Sequence, residues 1–385
     1  MHLTSIPIYD HHAYSLFTEE RWRSEPLERY FALNPSPEML AFVRDSLFFR
    51  RSVRDLAEFY GCEPTLEAIG EARQQHNYSE LARWLFAEAN ISYLLLEDSL
   101  VGNEHWSIGE CDERLPPVAR RVLQLEAELA RFLERHDTAT RLLNAFEGHL
   151  RTLAPTVAAF KSVVAFRSGL DITRHNLVEL ERAYSELRRN PTPSQTTHIT
   201  SKPLLDSMLW IALRVAREAG KPVQFHVGYG DPTLDMRLAN PLGLRGVLEA
   251  PELEGLKIVL LHSYPYVREA GYLCSSYPGA YLDLGLIIPA GSVHAMRTAL
   301  HEATHLAPIR KVLFSTSARH SPEMFWIAAR WGRRILAQVL EQAVYNGDLT
   351  SEESEWAAER ILALNAAELY GTFASPPTEP VVSLF

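Results

Sequence analysis

The sequence is poor in cysteine. Cys62, Cys111 and Cys274 are the three in 385 residues; they lie far apart and form no CxxC pair. No disulfide framework can be read from that spacing, and it points to a reducing cytoplasm. Long apolar runs are missing too: none approaches the roughly 18–20 residues of a membrane span. The opening MHLTSIPIYDHH has neither the basic stretch nor the apolar core of a secretory signal. Positive charge is scarce, with 38 Lys and Arg against 48 Asp and Glu and a net charge of -10 at pH 7. A nucleic-acid partner would need a basic face, so none is expected. No GxGxxG follows the first strand candidate, which counts against a dinucleotide-binding open sheet. There is no internal repeat and no low-complexity tract.

What the chain does have is short apolar runs alternating with helical sequence. Ile6–Tyr9, Ile91–Leu96, Val157–Phe160, Val223–Phe225, Ile258–Leu261, Ala280–Leu284 and Val312–Ser315 read as buried strands. Val118–Leu125 fits either a strand or the start of a helix. Helical spacing of apolar residues marks Pro37–Phe49, Ser52–Tyr60, a segment opening at Pro64-Thr65, and Ser79–Ala89. It also marks Gln124–His136, Thr138–Thr152, Asn176–Asn190, Pro203–Ala219, Pro322–Gln342 and Ser351–Tyr370. Alternation of this kind implies parallel pairing, and eight such strands close an α/β barrel of the TIM-like (β/α)8 type. Residues of about 15–90 are too many for one βα connection and read as a helical insertion after strand one. The barrel is expected over residues 1–371, with residues 372–385, which hold three prolines, as an extended tail.

Four residues stand at strand ends: His12, Lys161, His226 and His262. In a barrel, strand ends of one polarity share a mouth where ligands and metals are placed. One strand-end histidine is usually a satisfied core residue. Two on consecutive strands, His226 and His262, suggest convergence on a metal, because neutral imidazole is the commonest metal ligand. Lys161 reads either as an ion-pair partner or, if carbamylated, as an oxygen ligand. Arg167, Asp171, Asp235 and Arg237 fall in loops over the mouth and fit a polar substrate or a solvated loop with its own ion pairs. His301 and His305 share a helix face and read as solvated. Glu104-His105-Trp106 is a lid candidate, while Trp22 and Tyr78 read as packing in the insertion.

Five segments together resemble the amidohydrolase-related family of metal-dependent (β/α)8 barrels. They are Asp10-His11-His12-Ala13-Tyr14, Phe160-Lys161-Ser162, His226 through Pro232, His262-Ser263-Tyr264 and Leu313 through Ala318. The resemblance implies a binuclear site built from a His-x-His pair on strand one, a carbamylated Lys on strand four, one His each on strands five and six, and an Asp on strand eight. His12, Lys161, His226 and His262 fall on those positions. Two positions depart from the pattern: Tyr14 stands for the second strand-one His and Ser317 for the strand-eight Asp. A tyrosine hydroxyl with a pKa near 10 ligates poorly, and a serine cannot act as the general base. One half-site is therefore intact and the other damaged. Strand alternation turns His11 away from the site, whereas His320, in the loop after strand eight, could swing in.

The resemblance thus implies one divalent metal, with Zn²⁺ the expected ion, at His226, His262 and Lys161, with His12 close by. It supports three functions. In the first, the chain is a supporting subunit that pairs with a complete, homologous amidohydrolase-like subunit. This is similar to the 2-aminoisobutyrate hydroxylase type, where one chain carries a binuclear Fe/Mn oxygenase site. In the second, it is a mononuclear hydrolase or decarboxylase of a small amide, lactone or carboxylic acid. In the third, it is a non-catalytic barrel whose ligand positions are remnants.

Overall fold

In a parallel sheet buried on both faces, strands are short and apolar throughout, and the strands here follow that rule: Val223–His226 and Ile258–Leu261 are buried at every residue. The computed structural model describes residues 1–99, 102–189 and 199–371. The barrel strands are β1 (Ile8–Tyr14), β2 (Ile91–Glu97), β3 (Val118–Gln124), β4 (Ala159–Ser162), β5 (Val223–His226), β6 (Ile258–Leu261), β7 (Ala280–Asp283) and β8 (Val312–Leu313). They lie side by side in chain order, every ladder parallel, with helical sequence between them. This is the expected (β/α)8 barrel.

The seam between β1 and the last strand is closed by bonds beyond Leu313. Thr316 N donates to Asp10 Oδ1 (3.0 Å), Ser317 N to His12 O (3.1 Å), Tyr14 N to Ala318 O (2.9 Å) and His320 N to Ser15 O (3.0 Å). The segment after β8 is thereby fixed against β1, exactly where the site residues of both lie. The barrel interior is filled by Tyr9, Leu95, Val122, Val259, Leu261 and Leu313, and Ala366 and Tyr370 join them from the last helix, Asn365–Tyr370. That helix caps the floor, with Tyr9 Oη donating to Gly371 O at 3.0 Å.

Between β1 and β2 the chain is helical, as expected. Pro37–Phe49 divides into Pro37–Val43 and Leu47–Tyr60, because the Ser46 side chain caps the second helix by accepting from Phe49 N. The insertion is tied to the helix Pro322–Asn346 through buried Glu323. This carboxylate accepts from Arg73 Nε (2.6 Å), Tyr60 Oη (3.0 Å) and Trp22 Nε1 (3.2 Å). Trp22 and Tyr78 are core residues, as their sequence context suggests.

Other boundaries differ from the sequence reading. Val118–Leu125 is a strand to Gln124, and the following helix is only Leu125–Ala130. β1 and β4 extend further than expected, so His12 and Lys161 lie within strands rather than just past them. Ser351–Tyr370 is interrupted by a π-helical turn at Arg360–Leu364, where Arg360 Nε reaches across to Asn365 Oδ1 at 2.7 Å. The expected break at Pro191-Thr192-Pro193-Ser194 and the tail 372–385 lie outside the described residues. Among the described residues, no helix is long and apolar enough to cross a membrane.

Gly228 follows β5 at φ 72°, and a Cβ there would stand 2.2 Å from Tyr264 O and 2.5 Å from His262 O. Gly228→Ala is therefore expected to lower stability by more than about 1 kcal/mol, since strain and a backbone clash add. A thermal melt of the variant checks it; an unchanged melting temperature would count against this packing.

Candidate metal centre

Register decides which side chains face the mouth. Lys161 on β4 is level with Gln224 on β5, so His226, two residues further, points the same way. Leu261 closes β6 in the interior cluster, so strict alternation would turn the next residue outward. His262 instead adopts φ 63°, and this left-handed turn brings its ring back to 4.7 Å from the His226 ring. The His12 ring lies 5.1 Å from the His262 ring. Imidazoles from β1, from β5 and from the turn after β6 thus meet at one end of the barrel. All three are buried.

Burial holds these imidazoles in the neutral form. It pushes His226 down to about 3 and His12 and His262 well below the usual histidine range, with the Lys161 charge adding to the effect. Their hydrogen bonds select nitrogens. His226 Nε2 is 3.2 Å from Tyr229 O, and His262 Nδ1 is 3.2 Å from Ser317 Oγ. A metal would take the other nitrogen of each ring. His12 Nδ1 is buried without a hydrogen-bond partner.

Lys161 is placed differently from its sister positions. Its ammonium is 2.7 Å from Tyr14 Oη, 3.4 Å from Glu97 Oε2 and 3.4 Å from His12 Nε2, and it sits 4.7 Å from the centre of the Tyr14 ring. Burial alone would lower its pKa, yet Tyr14 and Glu97 outweigh that and raise it. These contacts suit a cation. Glu97 escaped the sequence reading although it ends β2, the same topological position that singled out the other four. A search for every polar strand-end residue would have found it.

The same search would have found Asp283, the last residue of β7. It is fully buried. Its Oδ1 accepts from His262 N (3.0 Å), and its Oδ2 accepts from Ser315 Oγ (2.6 Å). Ser315 Oγ is 3.1 Å from Ser317 Oγ. Here the expectation for His11 also fails. The β1–β2 register slips between Asp10 and Ala13, and such an irregularity removes the alternation that would turn His11 away. Both His11 and His12 are buried inside. His11 lies beneath the metal residues, with Nε2 3.4 Å from Asp283 Oδ2 and Nδ1 3.2 Å from Tyr370 Oη. Tyr370 Oη in turn accepts from Gln224 Nε2 at 3.0 Å.

Several candidates are set aside by their contacts. His320 does not swing in: its ring stacks on Phe17 at 4.2 Å, and Nδ1 is 3.1 Å from His105 Nε2. Arg237 pairs with Asp235 at 2.6 Å on the loop after β5, the solvated alternative. His301 and His305 sit half-buried and exposed on their helix. Glu126 at the start of the helix after β3 is a further buried acid. It accepts from Ser162 Oγ at 2.6 Å, and burial raises its pKa.

Three buried imidazoles are the residues here that could hold a divalent ion. Neutral imidazoles are the ligand form, and His226 and His262, with His12, supply them. Beside them stand a hydroxyl, Tyr14, and an ammonium, Lys161, 2.7 Å apart. Among the described residues, no group of three His, Cys, Asp or Glu side chains is already arranged to hold a metal ion.

Comparison with known proteins agrees with this architecture. Residues 190–372 match the family model described as amidohydrolase. A provisionally assigned metal-dependent hydrolase from Lactobacillus casei superposes with a TM-score of 0.85 at 28% identity, covering 96% of each chain. Uronate isomerase from Thermotoga maritima shares the fold, with a TM-score of 0.68 at 14% identity over 95% of each chain. Protein fluG of Emericella nidulans is 30% identical over 412 residues, covering 98% of this chain and 47% of fluG. The chain thus spans about half the length of that curated relative.

Proposed function

We propose that this chain is a metal-dependent hydrolase of the amidohydrolase superfamily with a one-metal site. His226 and His262, with His12, would hold the ion, and the substrate would be a small amide, lactone or carboxylic acid. The observation that carries this is the meeting of three neutral imidazoles beside a lysine kept as an ammonium. Zn²⁺ suits an all-imidazole set, and a bound ion of this kind supplies a water acidic enough to attack near neutral pH. The protein's own groups do the rest. Tyr229 O accepts the His226 Nε2 proton and fixes that ring's tautomer. Lys161 and the Tyr14 hydroxyl are placed to stabilise negative charge developing on a substrate oxygen. On this reading Lys161 stays uncarbamylated.

One observation favours a second reading, the supporting subunit of a heteromer of the 2-aminoisobutyrate hydroxylase type. Ser317 leaves the mouth without an acid on strand eight to move a proton. The test is turnover of the isolated, Zn²⁺-loaded chain on a panel of small amides and lactones. Hydrolysis that a chelator abolishes supports the hydrolase. No turnover until a homologous subunit is added would put the heteromer in its place.

A further inference from the structure

We propose that Asp283 takes over the part of the missing strand-eight carboxylate. Acting through Ser315 and Ser317, it would hold the proton of His262 on Nδ1 and leave Nε2 facing the mouth as a ligand. The inference rests on the one-metal reading for its purpose, though not for its geometry.

The geometry is a directed chain. A carboxylate only accepts, so Ser315 must donate its hydroxyl proton to Asp283 Oδ2, at 2.6 Å. Ser315 Oγ is then free to accept from Ser317, at 3.1 Å. Ser317, having given its proton, can only accept from His262 Nδ1, at 3.2 Å. With all three contacts made as hydrogen bonds, the series ends with a proton on His262 Nδ1, and the Gly285 backbone is a further hydrogen-bond partner of that ring. Asp283 also takes the His262 backbone N–H at 3.0 Å, so one carboxylate fixes both the turn and the tautomer. Asp283 is a positioning residue in this scheme, acting on a metal ligand through two hydroxyls. An outer carboxylate of this kind orients a ligating histidine and raises its basicity.

Two further features show that the arrangement is built. Gly285, two residues past Asp283, lies so close that a Cβ there would stand 2.1 Å from Ser317 Oγ and 2.4 Å from Ser315 Oγ. The hydroxyl pair fits only because that residue lacks a side chain. His262 and Ser317 both hold positive φ, at 63° and 49°, and non-glycine residues keep such angles where the surroundings over-determine them. The two ends of the relay are thus the strained residues, and Ser317 is the residue that departs from the family pattern. The acid is lost from strand eight and stands one strand over, on β7.

The experiment moves the carboxylate. In Asp283→Asn, Zn²⁺ affinity measured by chelator competition is expected to fall on the order of tenfold to a hundredfold, the range for losing an outer partner of a ligating histidine. In Asp283→Asn with Ser317→Asp, the acid returns to strand eight, and most of that loss is expected to be regained. A purely structural role for Asp283 predicts no such regain. Histidine ¹⁵N spectra of the metal-free chain give a readout that needs no metal: His262 protonated at Nδ1 in the parent, and mixed between its nitrogens in Asp283→Asn. Failure of the parent chain to bind Zn²⁺ would sink the hydrolase reading, and the spectra would still decide the relay. An unaltered His262 spectrum in Asp283→Asn, or unaltered affinity, would overturn the proposal.

Discussion

Glu97→Ala is expected to destabilise the metal-free chain by about 3–5 kcal/mol, because it strands the Lys161 ammonium in the barrel interior. Both side chains are essentially out of water, at 0% and 1% exposure, and 3.4 Å apart. Lys161 would keep the Tyr14 hydroxyl at 2.7 Å and His12 Nε2 at 3.4 Å, but no carboxylate. The loss should come mostly from the unpaired charge and only in part from the lost attraction. Replacing both partners by apolar residues, Lys161→Met with Glu97→Leu, is then expected to cost much less than the sum of the single changes. Urea denaturation of the parent, Glu97→Leu, Lys161→Met and the double variant closes the cycle. Additive losses would show that Glu97 and Lys161 do not act as a pair.

The second large effect is on pH. The metal-free chain is expected to lose stability steeply as pH falls from about 6.5 towards 3. An unfolded histidine takes up a proton near 6.5. Burial keeps His226 neutral down to about 3 and holds His12 and His262 well below the ordinary value. Across that window the unfolded chain binds protons that the folded chain refuses, so acid favours unfolding. Each histidine contributes a slope of up to ~1.4 kcal/mol per pH unit. Asp10 works the other way: burial lifts it to about 7, so between 3.8 and 7 the folded chain keeps a proton the unfolded chain has lost. His320, also lowered to about 3 by burial, joins the three site histidines; together they outweigh the raised carboxylates Asp10, Glu126 and Asp98, and the net slope is still downward into acid. Urea midpoints at pH 7 and pH 5 measure it, and His226→Asn should show a shallower slope. An unchanged slope in that variant would mean that His226 is not a buried neutral group.

The barrel was legible because its strands are buried on both faces. Ile258–Leu261 or Val223–Phe225 can hardly be anything else, and their endings in histidine followed from the same pattern. Five residues around these histidines were not so readable, each for a physical reason. His11 was assigned outward by alternation, and a register slip in β1 cancels alternation. His262 would also point outward but for a positive φ that no periodicity shows. Asp283 and Glu97 are acids next to apolar runs, and nothing local distinguishes them from surface charges until the strands are closed into a ring. Ser317 was read as a loss, and in space it is a link to a carboxylate on the neighbouring strand.

The most direct test of the account is the amount of Zn²⁺ that the purified chain takes up after dialysis, counted by elemental analysis for the parent and for His226→Ala and His262→Ala. A one-metal site takes up close to one ion per chain in the parent and far less than one in either variant. Two ions per chain in the parent, or one ion per chain retained in either variant, would contradict it.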